Sequence, residues 1–392
     1  MDSRLRGNDR SSRTSVIPYF RNSVLPYFRN SVTSSMLYYS EYLALDAVLG
    51  AQHMESAKHG APAHEEMLFI ITHQTFELWF KQVLFEVDSV IRLLDRPYLP
   101  EADMSLCLSR IIRVNKIMAH LAEQFTLIET MTPGEFMEFR AFLNPASGFQ
   151  SLQWRVLERT LGLPEQKRVL RHYTEPFTVE QLKQLDDASS RTTLFAAVQR
   201  WLEQMPFMEH GEFAFWDAYK SSVQSMLDND RREVRVLAEA EGTDPTSALE
   251  QIDANERSFL SLFSAEAYEE LRTQGVRRMS QRATLAALFI STYRDRPLLQ
   301  TPYRFVDAII ELDRLVSLWR YRHTMMVSRM IGMRVGTGGS SGHDYLMQTT
   351  IRQRVFDDLT SLSSYLVPTQ HTPPLPEAIE SRLQFVNERP GL

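Results

Sequence analysis

The sequence predicts an all-α protein on three observations. From Met36 onward the apolar residues recur at helical spacing, no run alternates convincingly at period two, and glycine is scarce, at 15 of 392 residues. At roughly 100–200 residues per domain, the length allows two or three domains or one large one. A hydrophobic share of 43% and a charged share of 23% exclude a mainly disordered or fibrous chain. The single cysteine, Cys107, excludes an internal disulfide framework and any all-cysteine zinc or iron–sulfur site, and it points to a reducing, cytoplasmic setting. No transmembrane helix is expected, because no apolar run is long enough to span a bilayer. A net charge of −6 gives no reason to expect a nucleic-acid or anionic-membrane partner.

Residues 1–35 differ in kind from the rest. They carry six arginines, no lysine and two acids, a net +4 that leaves −10 for the remainder. They contain a tandem repeat, VIPYFRNS over 16–23 and VLPYFRNS over 24–31. Two copies are too few for a solenoid, and Pro18 and Pro26 interrupt any amphipathic helix. An Arg- and Ser-rich, acid-poor start also fits a transit peptide, against which the prolines count. The segment reads as a low-complexity extension, disordered or not native, with Met36 as the alternative start.

A helical domain is expected over 36–360. Residues 64–94 are apolar almost all round, the pattern of a helix buried on several sides. A second long helix is predicted over 103–130. Thr132-Pro133-Gly134-Glu135 has the form of a helix start, with Thr132 capping, proline in the first turn and an acid following. Residues 144–148 (NPASG) break the chain, and Phe149 to Leu161 restart a helix. Residues 165–285 are more charged and read as further helices, a possible smaller inserted subdomain, with breaks at Gly162–Pro164 and around Gly242–Pro245. Residues 302–333 return to the buried type, and 335–342 form a glycine-rich loop. Pro368, Pro373, Pro374 and Pro376 mark 361–392 as a loosely ordered tail.

Two histidines lie on apolar helical stripes. His73 shares a face with Phe69, Phe76 and Phe80. His323 shares one with Leu312, Val316, Trp319, Met326, Val327 and Met330, flanked by Arg320, Arg322 and Arg329. A buried imidazole without a partner costs about 1–3 kcal/mol. A backbone carbonyl in an ordinary core would serve as that partner. So would iron in a haem, whose apolar macrocycle suits such a slot and whose propionates seek arginine. A carboxylate-bridged di-iron bundle needs a Glu-x-x-His motif on each of two helices, which is missing, and no His-Glu-x-x-His zinc motif occurs. Arg140 stands among aromatics, where a guanidinium can grip a carboxylate or pair with an acid such as Glu138. The glycine loop offers free backbone N–H groups for an anion, or serves as a linker, and it matches neither a P-loop nor a dinucleotide fingerprint.

Four segments together resemble the tryptophan 2,3-dioxygenase family. They are YSEYLALD at 39–46, HEEMLFIITHQTFELWFKQ at 64–82, EFRAFLNPASGFQSLQ at 138–153, and LWRYRH at 318–323 running on to Gly342. The resemblance covers about Leu37 to Thr350. It implies a homotetramer, a dimer of dimers of helical subunits, each holding one haem b whose Fe(II) form is active. It implies a dioxygenase that inserts O2 across the indole C2–C3 bond of L-tryptophan to give N-formyl-L-kynurenine, the first step of tryptophan catabolism by the kynurenine pathway.

The roles follow by position. His323 would be the proximal ligand of the iron, with Val327 beside it in the cofactor slot. His73 would orient the indole N–H. Arg140 would hold the substrate carboxylate, and Thr337 would contact the ammonium and carboxylate. Phe69 and Phe136 would line the indole pocket, and Ser147 would sit near the haem edge. Tyr39, Tyr42 and Leu43 would reach into the neighbouring subunit's pocket. The competing readings are a haem relative acting on another indole, a non-catalytic haem sensor or carrier, and a helical scaffold without cofactor.

Overall fold

A computed structural model describes residues 37–164, 177–211, 213–332 and 353–384. The chain divides into two units, Met1–Ala51 and Gln52–Leu392. The described part of the first unit holds two short helices, α1 (Tyr39–Tyr42) and α2 (Leu45–Leu49), with Ala44 between them at φ 48°. Its apolar side chains Leu37, Tyr38, Tyr39, Tyr42, Leu43 and Leu49 are exposed.

The second unit opens with α3 (Glu55–Lys58) and the long α4 (Glu66–Leu94). Buried Glu66 fixes the entry to α4. Its carboxylate accepts from the backbone N–H groups of Glu55 and Ser56, at 2.8 and 3.0 Å, and from the Ser56 hydroxyl. One face of α4 is core, with Phe76, Phe80, Val83, Val87, Val90 and Leu94 buried. Another face carries Met67, Ile71, Leu78 and Phe85 into solvent, so α4 is less enclosed in the single chain than its composition predicts.

The second predicted helix is in fact two. α5 (Glu101–Glu123) stops at Gln124, and α6 (Phe125–Ile128) turns Phe125 and Ile128 into the core. α7 (Pro133–Arg140) starts as predicted. The Thr132 hydroxyl accepts from the Glu135 N–H, and the Glu135 carboxylate accepts from the Thr132 N–H at 2.7 Å. Short 3₁₀ turns at Ala141–Leu143 and Gly148–Gln150 lead to α8 (Leu152–Leu161), which Ser151 caps and Gly162, at φ 99°, ends.

There follow α9 (Val179–Ser190), α10 (Leu194–Glu203), a two-residue antiparallel hairpin of β1 (Glu209–His210) with β2 (Phe213–Ala214), then α11 (Phe215–Glu241), α12 (Thr246–Phe263), α13 (Ala265–Thr273), α14 (Gln281–Thr292) and α15 (Pro297–Ile331). The hairpin is the only sheet among the described residues, so the fold is all-α.

α15 starts five residues before the predicted Pro302. Pro297 occupies its first turn, and Pro302 is carried inside the helix. Full burial of Leu299, Phe305 and Val306 holds that turn in place despite the hydrogen bond a helical proline forfeits. The frame of the unit is α5 laid along α15, with α4 against α5 and α8. Asn115 on α5 donates to the Ala308 carbonyl of α15 at 2.8 Å. Among the described residues, no helix is long and apolar enough to cross a membrane.

The described C-terminal residues are not a loose tail. Val355, Phe356, Leu359, Leu362 and Tyr365 are buried, and a last helix, Glu377–Leu383, buries Ile379 and Leu383 completely. Pro368 and Pro376 precede a 3₁₀ turn and that helix, so these prolines start short elements rather than dissolving structure. Buried Asp313 on α15 anchors the segment by accepting from the Val355 and Phe356 N–H groups at 2.8 and 3.3 Å.

Candidate active site

α4, α6, α8 and α15 enclose a cavity of about 390 Å³, within the span of small-molecule sites. α4 lines it with Phe69, His73, Phe76, Glu77 and Phe80, one turn after another on one face. α6 adds Phe125, α8 adds Trp154, Arg155 and Glu158, and α15 adds Trp319, Arg320 and His323. The turn through Leu143, Ala146, Ser147 and Gln150 closes the side between α7 and α8.

His73 and His323 therefore face one space from two helices far apart in sequence. The Nδ1 of His73 lies 2.8 Å from the Phe69 carbonyl oxygen. A carbonyl only accepts, so Nδ1 carries the proton and the neutral ring turns a lone pair at Nε2 outward. Burial lowers the His73 pKa, against the Phe69 hydrogen bond and the Glu77 carboxylate, which raise it. The Phe69 ring packs on the imidazole, with centroids 4.1 Å apart.

Burial lowers the His323 pKa to about 4, and His73 and Arg155 push it the same way. His323 is half-buried and lines the cavity. The indole of Trp319 stacks on it, with centroids 5.5 Å apart and 11° between planes, and Trp154 continues the stack at 4.1 Å from Trp319. Both imidazoles are thus neutral near pH 7.

One end of the cavity is charged. Buried Glu158 accepts from Arg155 Nη1, Arg320 Nη2 and the Trp154 indole N–H, each at 3.0 Å. Two guanidiniums and one carboxylate thus meet at this end. The Trp319 indole N–H is buried and, among the described residues, has no hydrogen-bond partner.

A haem fits these residues better than a bare ion does. Among the described residues, no group of three His, Cys, Asp or Glu side chains converges to cage a metal. A single neutral histidine in an aromatic slot suits iron that arrives already chelated. The two arginines and the buried Trp319 N–H are donors that suit the carboxylates such a macrocycle carries.

The structure brings together Phe69, His73, Ser147 and His323 of the sequence candidates. Phe136 packs on Phe69, with ring centroids 5.7 Å apart, just behind the lining. Arg140 follows one turn later on α7, half-buried and not part of the lining. Val327 packs half-buried against the core rather than in the cavity wall. Tyr39 and Tyr42 lie exposed in the first unit with Leu43. Thr337 and the glycine loop lie outside the described residues.

Sequence reasoning did not single out Trp154, Arg155 and Glu158. Their signal is the spacing of Ser151, Trp154, Arg155 and Glu158 along one helical face. Glu77 stands one turn after His73 in the sequence, a spacing that gives no sign of its partners across the cavity.

The family model described as tryptophan 2,3-dioxygenase matches residues 28–366 of this chain. The chain is 40% identical over 353 residues to the tryptophan 2,3-dioxygenase of Bdellovibrio bacteriovorus, covering 89% of this chain and 98% of that protein. It is 41% identical to the protein of the same name from Dictyostelium discoideum, covering 89% and 88%. It is likewise 41% identical to the one from Xenopus laevis, covering 88% and 86%.

Proposed function

The chain belongs to the tryptophan 2,3-dioxygenase family, and from that premise we propose that the cavity between His73 and His323 holds haem and L-tryptophan for the insertion of O2 across the indole C2–C3 bond. The protein is an enzyme, a dioxygenase that uses O2 to oxidise tryptophan in the first step of tryptophan catabolism. The observation that supports this proposal is the pair of neutral imidazoles facing one aromatic cavity with two arginines at one end.

His323 would hold the iron of haem b, and Arg155 and Arg320 would hold its carboxylates. The haem, in its Fe(II) form, supplies O2 binding and the redox chemistry. The other steps belong to side chains. His73 Nε2 accepts the indole N–H and so fixes the ring in its plane. Full abstraction of that proton is not needed, because the neutral indole π-system is already nucleophilic. Phe69 and Phe136 exclude water and restrict the ring to a near-attack position. Arg140, with Thr337, takes the amino-acid end, so a substrate without a carboxylate forgoes that grip and reacts poorly. The product is N-formyl-L-kynurenine.

The assembly in this reading is a cytoplasmic homotetramer, a dimer of dimers. The exposure of Tyr39, Tyr42 and Leu43 supports a role for them in a neighbouring subunit's pocket. A non-catalytic haem carrier is not favoured, since the relatives are named as enzymes.

The test is the haem-loaded, reduced protein mixed with L-tryptophan and O2. N-formylkynurenine should form, and His323→Ala should lose both the Soret band and the product. A Soret band of wild-type intensity and position in His323→Ala would remove His323 from the iron.

A further inference from the structure

One side chain ties the histidine-bearing helix to the wall that faces it. Glu77 stands one turn after His73 on α4 and lines the same cavity. Its Oε1 accepts from the Ser151 hydroxyl at 2.6 Å, and its Oε2 accepts from Gln153 Nε2 at 3.0 Å. The same Nε2 donates to the Glu77 backbone carbonyl at 2.8 Å, so both N–H groups of the Gln153 amide end on residue 77. The Ser151 oxygen in turn accepts the Trp154 N–H and caps α8. Ser147 precedes on the same turn, held by its N–H donating to Gln150 Oε1 at 3.2 Å. Both residues line the cavity.

We propose that Glu77 is a positioning residue for the reaction, whose carboxylate sets the gap between His73 and the Ser147–Ser151 turn and thereby the width of the slot that orients the indole. An ionised carboxylate is a pure acceptor, so it enforces one arrangement, with Ser151 and Gln153 both donating. The Ser151 hydroxyl thus serves both elements, its proton on Glu77 and its oxygen on the Trp154 N–H that it caps. A slot held at the wrong width loses contacts that the indole makes in the ground and transition states alike, which raises KM and leaves kcat nearly unchanged. The proposal rests on the indole lying beside His73.

The test compares Glu77→Ala, Ser151→Ala, the double variant and Glu77→Gln as haem-loaded enzymes. Each alanine variant should raise KM for L-tryptophan about tenfold while kcat changes less than threefold. Soret position and haem stoichiometry should stay as in the wild type. The double variant should match the singles, because both cut one clasp. Glu77→Gln keeps an acceptor for Ser151 and should recover KM to within threefold of wild type. Unchanged KM in either alanine variant overturns the proposal, as does a double variant with a hundredfold rise. So does a pure loss of kcat and thermal stability at constant KM, the mark of a merely structural clamp. If Glu77→Ala does not fold, Ser151→Ala alone decides by the same readouts. His73→Ala separates the two levels: if it changes neither KM nor kcat, the indole placement itself fails, whereas additive clasp variants remove only the role of Glu77.

Discussion

Replacing Glu158 with glutamine removes a buried carboxylate that Arg155, Arg320 and the Trp154 indole all donate to. A glutamine oxygen can still accept where Oε1 stands, from Arg320 and Trp154. Its amide then points N–H groups at the Arg155 guanidinium, donor against donor. Two buried guanidiniums also lose this opposite charge. Removing one partner of a buried ion pair costs about 3–5 kcal/mol, of which the lost Arg155 hydrogen bond is worth roughly 1.5–3 kcal/mol. At about 2.1 cal/mol/K per residue over the roughly 315 described residues, the melting entropy is about 0.7 kcal/mol/K, so Tm should fall by about 4–7 °C. Calorimetry at pH 7 on the haem-free protein reads this directly. The fall should be smaller with haem bound, because the cofactor's carboxylates would answer the two guanidiniums. A Tm change below about 1 °C in the haem-free protein would mean the cluster is solvated and would refute the reasoning. Equal changes with and without haem would detach the cluster from the cofactor.

Because the folded His323 pKa lies below its unfolded value, the folded state binds fewer protons, and stability is lost as pH falls from about 6.5 towards 4. The loss has an upper size of about 3 kcal/mol. Urea melts of the haem-free protein should show it, and His323→Gln should flatten the slope. Gly162→Ala should cost about 2–4 kcal/mol, since φ is 99° and a Cβ there would meet Phe195 Cβ at 2.8 Å. Gly242→Ala, at φ 68° with nothing within 4 Å, should cost only about 1 kcal/mol, and equal losses at the two sites would show that the clash is relieved. Arg140→Leu should raise KM for L-tryptophan at least tenfold with haem content unchanged, and wild-type kinetics in that variant would take Arg140 out of the substrate site.

Much of this fold is legible because its helices announce themselves locally. The Thr132–Glu135 start of α7 and the Gly162 stop of α8 are written in residues that satisfy the backbone within a few positions. The two histidine stripes are equally plain. Less legible is anything decided by tertiary contact. Pro302 reads as a boundary, yet burial of Leu299 and Phe305 carries the helix across it. The C-terminal prolines read as disorder, yet Asp313 holds Val355 and Phe356 from forty residues away in the sequence. Glu158 looks like an ordinary helix-surface acid, and only the approach of Arg320 from α15 shows it to be the counterion at one end of the cavity. Glu77 stands out by its spacing from His73, but its partners Ser151 and Gln153 lie more than seventy residues on, beyond the reach of any periodicity.

α15 works as a ruler. It is 35 residues long, about 52 Å at 1.5 Å per residue, and uninterrupted. Near its middle Asp313 grips the returning chain, and ten residues later His323 enters the cavity. No loop lies between the two that could absorb a change in length. One residue inserted there would rotate the imidazole by about 100° relative to the aspartate and push it 1.5 Å along the axis, roughly a quarter-turn out of the aromatic slot. Drift by substitution is therefore open to this stretch in a way that drift by insertion or deletion is not, and any lineage that tried the latter would have to rebuild both ends of the rod at once.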